Sequence, residues 1–305
     1  MRVRWLGGAA LAVVLLVGST VPVRAQGGGG DVNEEVRKAV ERAVGASVST
    51  SVAESLSRSI VSEGLRQEPR TTLFGSPFYN RTEGDFDFGS FDADTFGGVV
   101  GVLHKLTNWA LVHAAFSGAT TGVDAEAAGF EVESRSRFLD MRLGADLVFL
   151  NTRPAKAWFT LEGGVSNFDT DIEDSDEIWS WRIAPSLTGS LRAGDILFEP
   201  VVGFAFSRPF AGVDDEETTI TFNPGFSLKY RGERLRPQLN FLYSKIIHPG
   251  GAARVDDGVI SVGPEILYAL TPNLLVGGAY SYATPLTKGI DVDSHTFTLE
   301  IRWIF

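Results

Sequence analysis

The chain has 305 residues, with 38 acidic against 27 basic side chains, a formal charge of −11 and no cysteine. The missing thiols exclude disulfides, thiolate metal sites and a lipid-modified cysteine anchor. The negative charge argues against a nucleic-acid partner, whose phosphates it would repel.

The first element is a leader. Arg2 and Arg4 precede an apolar run from Ala9 to Val17, and Val23-Arg24-Ala25 offers small residues where a signal peptidase reads. This pattern predicts a secretory signal peptide over residues 1–25, carrying the chain through the inner membrane. The apolar run falls short of the roughly 20 residues needed to span a bilayer, and no later stretch supplies them. A mean hydropathy of +0.05 is ordinary for a water-soluble protein. Membrane strands hide behind such a value, because each offers only alternate residues to lipid.

Residues 26–70 form a second unit. After Gly27–Gly30, apolar residues recur every fourth position: Val32, Val36, Val40, Val44, Val48, Val52, Leu56 and Ile60. Opposite charges at Glu34–Lys38, Arg37–Glu41 and Glu54–Arg58 sit one helical turn apart. Asp31 serves as N-cap and Pro69 marks the stop. A strict spacing of four drifts roughly 40° per step, so the apolar stripe winds around the helix rather than facing one surface. The stretch from Gly45 to Ser59 is built mainly from small residues. A slim helix contacted on all sides inside a narrow barrel fits this pattern, and a periplasmic extension is the alternative. At 1.5 Å per residue, residues 31–66 span roughly 54 Å, enough to thread a membrane.

From residue 71 the period changes from four to two. Twelve strands are predicted at 71–80, 93–106, 108–121, 133–150, 155–170, 177–193, 195–208, 217–231, 233–247, 257–270, 272–284 and 294–305. In the last, Phe297, Leu299, Ile301, Trp303 and Phe305 share one face, while Thr298, Glu300 and Arg302 share the other. Such alternation is a strand with one apolar side. Tight turns at Leu106-Thr107-Asn108, Arg192-Ala193-Gly194-Asp195, Arg231-Gly232-Glu233 and Thr271-Pro272-Asn273 alternate with longer acidic links at 81–92, 122–133, 169–177, 209–217, 248–257 and 285–293. Strands of this length, joined alternately by short turns and long loops, predict an antiparallel transmembrane β-barrel over 71–305.

At this point a family resemblance appears. Phe91-Asp92-Ala93-Asp94-Thr95-Phe96-Gly97, the turn Leu270-Thr271-Pro272-Asn273-Leu274-Leu275-Val276-Gly277 and the closing Leu299-Glu300-Ile301-Arg302-Trp303-Ile304-Phe305 resemble autotransporter β-barrel (translocator) domains. The order of signal peptide, helix and twelve-stranded barrel is similar too. The resemblance implies a helix in the pore, joined in that family to an exported passenger. The roughly 45 residues between leader and first strand are too few for a passenger domain, so the expectation is a translocator barrel without recognisable cargo.

No residue motif for chemistry emerges. His113 and Ser117 share a strand face but lie about 13 Å apart along it, too far for a direct hydrogen bond. Asp169, Asp171, Glu173, Asp174, Asp176 and Glu177, then Asp214, Asp215, Glu216 and Glu217, lack calcium-loop spacing and read as solvated loop. No catalytic, cofactor-binding or metal-binding residue is assigned. The predicted lumen carries Asp140, Arg142, Asp146, Glu162, Arg182, Glu199, Lys229, Arg236, Glu265, Glu300 and Arg302. Mixed signs there imply an internally paired wall around water or a plug, not a single-sign filter.

The expectation is therefore a non-enzymatic pore or structural barrel of the bacterial outer membrane, with a porin-like channel as alternative and an outer-membrane hydrolase as the least favoured. Its expected partners are outer-membrane lipids and lipopolysaccharide. The barrel-assembly machinery, which reads the last strand of outer-membrane barrels, is expected to engage the strand ending at Phe305. No cofactor and no cargo is named.

Overall fold

A computed structural model describes residues 71–86, 89–127, 130–170, 177–211, 218–247, 258–286 and 291–305. The predicted leader (1–25) and the Gly-rich and helical segment (26–70) lie outside these residues, as do the densest acidic links apart from Asp169 and Glu177.

The described residues form one closed antiparallel barrel. Its strands are β1 (Thr71–Phe86), β2 (Gly89–Thr107), β3 (Ala110–Ala127), β4 (Phe130–Asn151), β5 (Ala155–Thr170), β6 (Ile178–Ala193), β7 (Ile196–Ala211), β8 (Thr219–Phe222), β9 (Gly225–Tyr230), β10 (Leu235–Ile247), β11 (Val259–Thr271), β12 (Leu274–Pro285) and β13 (Asp291–Ile304). Each pairs with its neighbour, and β13 returns to β1 from Thr72↔Ile304 to Asp85↔Asp291. Thr71 and Phe305 exchange backbone hydrogen bonds of 2.9 and 3.0 Å, so both chain ends of the barrel sit at one rim.

β8 and β9 are two halves of one strand position, since both pair with β7 and β10. The break falls at Asn223-Pro224, where the proline has no N–H to donate. The ladder survives it. Asn223 still exchanges bonds of 2.8 and 3.2 Å with Gly203, and the Pro224 carbonyl accepts from Tyr243 N at 3.0 Å. The ring therefore has the predicted twelve strand positions.

The strands run further than the alternation implied. The predicted links 81–92 and 122–133 are largely strand, because β1 reaches Phe86, β2 starts at Gly89, β3 reaches Ala127 and β4 starts at Phe130. There the alternation inverts: Phe91 and Val123 are buried on the inward face while Glu83, Asp92 and Asp124 are exposed on the outward one, so the lipid-facing pattern is lost while backbone pairing continues.

Following the register from Leu197 through Lys229, Gln238, Glu265, Ala279, Thr298, Phe78, Gly97, Ala119, Phe138, Phe168 and Ile178 brings the circuit back to β7 beside the Trp179–Ala211 pair. That stagger of about 14 residues over twelve strands fixes a tilt near 39° and a backbone diameter of about 24 Å.

The faces are inverted relative to a soluble protein. Leu143 is 71% exposed and Leu299 65%, while Arg302, Glu265 and Glu300 are each 1% exposed. On β4 the outward residues Leu139, Met141, Leu143, Leu147 and Phe149 are all exposed. At this tilt the ten steps from Leu139 to Phe149 rise about 26 Å, matching the ~25 Å apolar belt of outer-membrane barrels. Trp109, Trp303 and Tyr230 lie exposed at the short-turn rim, and the tilted rings of Tyr79 and Phe96 meet higher up with centroids 4.8 Å apart. These are the two aromatic girdles of an outer-membrane-type barrel.

The turns at the lower rim carry the chemistry their sequences promised. Trp109 N donates to Thr107 Oγ1 at 3.0 Å, and Asn273 N donates to Thr271 Oγ1 at 3.3 Å. Gly194 takes a φ of 62°, which side-chain-bearing residues avoid.

Candidate functional site: the charged lumen wall

All eleven predicted lumenal charges lie on the inward face, and the register gathers most of them into three groups. The largest spans β3, β4 and β5. Arg142 Nε donates to Asp140 Oδ2, two residues back on the same face, and Arg142 Nη1 donates to Glu162 Oε1 at 3.2 Å on β5. Asp146 accepts from Thr160 Oγ1 at 2.6 Å. His113 from β3 fits between the two acids, with Nδ1 at 3.1 Å from Asp146 and Nε2 at 3.4 Å from Glu162. A carboxylate only accepts, so a protonated imidazole would donate to both.

This arrangement needs room beside the ring. Gly144 stands directly opposite His113, and a Cβ there would lie 2.2 Å from His113 Nε2. The glycine is what lets the imidazole lie flat across β4 and reach β5.

The second group lies on β6, β7 and β9. Lys229 Nζ is 2.6 Å from Glu199 Oε2, and Ser190 Oγ donates to Glu199 Oε1 at 3.0 Å. The third joins β13 to β11. Arg302 Nε donates to Glu300 Oε1 at 2.5 Å, while Nη2 lies 3.8 Å from Glu265 Oε1. Arg182 on β6 and Arg236 on β10 face the lumen as well.

Sequence reasoning placed these residues on the right face but missed His113 as a member. It weighed His113 only against Ser117 on its own strand. The real partners are across the sheet, 33 and 49 residues away, where only the register shows them. Ser117 instead stands opposite Asp140.

Among the described residues, no group of three or more metal-ligating side chains is placed to hold an ion. The wall can pair and orient charge of both signs, and it presents donors and acceptors to whatever occupies the lumen.

No family model matches this sequence, and no curated protein matches it. Solved structures do. The translocator domain of the autotransporter NalP from Neisseria meningitidis is similar at a TM-score of 0.55 and 14% identity, covering 83% of this chain and 96% of that one. The transport unit of the autotransporter AIDA-I from Escherichia coli gives 0.52 and 10%, covering 79% and 91%. An outer-membrane channel from Pseudomonas putida F1 gives 0.54 and 11%, covering 78% and 97%. At these identities the likeness establishes the fold, which is that of an autotransporter translocator barrel and is also used by a channel.

Proposed function

We propose that the chain is a non-enzymatic pore of the translocator type in the bacterial outer membrane, closed by its own N-terminal segment. In this reading residues 1–25 are removed on export, residues 31–66 form a helix in the lumen, and residues 71–305 form the barrel. The last strand, ending at Phe305, is the part engaged by the barrel-assembly machinery.

One observation carries the reading. An eight-stranded barrel is just narrow enough for side chains to fill, and a twelve-stranded one is wider. Subtracting two facing layers of side chains from the ~24 Å backbone diameter leaves roughly 10–16 Å, the width of one helix with its side chains. Yet charged residues from all three groups of the wall, Arg142, Glu199 and Arg302, are almost wholly buried. Buried charge facing a wide lumen supports an occupied lumen.

The test is conductance in planar bilayers. The intact protein should conduct little, and deletion of residues 31–66 should leave a folded, heat-modifiable barrel with conductance raised at least about tenfold. Equal conductance from both forms overturns the plug and leaves the solute-channel reading, consistent with the structural likeness to a channel.

A further inference from the structure

Part of the lumen wall is polar, buried and unmatched. On the inward face of β9 and β10, Ser227 is 0% exposed, Asn240 3% and Gln238 8%. Ser227 Oγ, Gln238 Nε2 and both amide atoms of Asn240 have no hydrogen-bond partner among the described residues. The register shows why the wall does not serve itself. Asn240 stands between Ser227 on β9 and Gly263 on β11, and the glycine has no side chain to offer. Buried polar groups are almost always hydrogen-bonded, because leaving them dry and unmatched is costly. An amide that turns both a donor and an acceptor to the lumen points to a partner arriving from the lumen side.

The sequence ahead of the barrel carries a matching pattern. Ser47, Ser51, Ser55 and Ser59 recur every fourth residue, each one position before Val48, Val52, Leu56 and Ile60. On a helix this is a hydroxyl stripe running beside the apolar one. A serine hydroxyl both donates and accepts, so it answers either atom of an asparagine amide. The levels agree as well. Thr71 starts β1 at the short-turn rim. With residue 66 at that rim, a rise of 1.5 Å per residue puts Ser59 about 10 Å and Ser55 about 16 Å above it. Counting from Leu235 at ~2.6 Å per residue, Gln238 lies about 8 Å and Asn240 about 13 Å above the same rim.

We propose that the helix of residues 31–66 rests on the β9–β10 wall rather than on the pore axis, with Ser55 and Ser59 hydrogen-bonded to Asn240 and Gln238. This docking rests on the plug reading, and adds to it which wall the helix meets and which of its faces meets it.

The chain has no cysteine, so two introduced thiols report on each other alone. The full-length protein in outer membranes carries Asn240→Cys together with Ser55→Cys or Ser59→Cys, and is oxidised. The disulfide is quantified by mass spectrometry after digestion; it forms only where two Cα atoms come within about 7 Å. Its yield should exceed that of two controls by at least about tenfold. One control replaces Asn240→Cys by Ala115→Cys, at a similar height on β3, half the ring away. The other replaces Ser55→Cys by Ser57→Cys, about 200° around the helix. Ser227→Cys, nearly isosteric, takes the place of Asn240→Cys if that variant fails to fold. Equal yield with either control, or no disulfide to the β9–β10 wall, overturns the docking. Conductance of the intact and the 31–66-deleted protein reads closure whichever wall the helix meets, so the plug falls only if that separate test fails.

Discussion

Two polar regions of the lumen wall are built from different chemistry. The β3–β5 wall is ionic, with His113, Asp140, Arg142, Asp146 and Glu162 in one network. The closing seam between β1 and β13 is neutral in its upper half. There Asn80 Nδ2 reaches Ser294 Oγ at 2.9 Å, Thr296 Oγ1 at 2.8 Å and the His295 carbonyl at 3.0 Å. Thr82 Oγ1 donates to Asn80 Oδ1 at 3.0 Å. The ionic bond of Arg142 and Glu162 joins adjacent strands 20 residues apart, whereas the seam bond of Asn80 and Ser294 closes over 214 residues. Charges therefore sit where their partners are made almost together. The seam, which must find its mate last, uses hydroxyls and an amide that tolerate waiting in water.

The difference predicts unequal costs. Arg142→Leu leaves Asp140 and Glu162 buried without their cation, so it should destabilise the barrel by about 3–5 kcal/mol. Urea unfolding in detergent, followed by loss of heat-modifiable migration, measures this. Adding the deletion of residues 31–66 sharpens the comparison. Water then reaches the lumen, and the same substitution should cost clearly less; an undiminished cost would mean that the wall is dry for some other reason.

Gly144→Ala comes next. Its Cβ would lie 2.2 Å from His113 Nε2, so the imidazole must leave Glu162, Asp146 or both, at about 1–3 kcal/mol. His113→Asn in the same background should restore part of the loss, since the smaller side chain no longer fills the space over residue 144. If Gly144→Ala is silent alone, the glycine is not what admits the ring.

How much of this was legible beforehand follows from what a strand encodes locally. Alternation assigns a face to every residue, so Phe297 to Phe305 and the eleven lumenal charges were readable without coordinates. It encodes nothing about register, and so His113 was compared with Ser117 on its own strand rather than with Asp146 and Glu162 across the sheet. It also fails above the membrane, where Glu83, Asp85, Asp92 and Asp124 remain in strands although their alternation is polar on the outside. Pro224 falls inside the strand predicted over 217–231, whose span carries no sign of a break. Its missing donor breaks the strand into β8 and β9 without opening the ring.

The smallest effect should come from the seam. Thr82→Val keeps the shape of the side chain and removes a hydroxyl that donates to Asn80 Oδ1 and lies 2.9 Å from Ser294 Oγ. Both partners are neutral, and Asn80 keeps its bonds to Ser294 and Thr296. The loss should be near 1 kcal/mol, the net worth of one hydrogen bond plus the partly unsatisfied amide oxygen. No charge is exposed or stranded by the change, so that cost should be about the same with and without residues 31–66, unlike the cost at Arg142. A Thr82→Val loss as large as that of Arg142→Leu, or one that collapses when the lumen is opened, would erase the distinction between the neutral seam and the ionic wall.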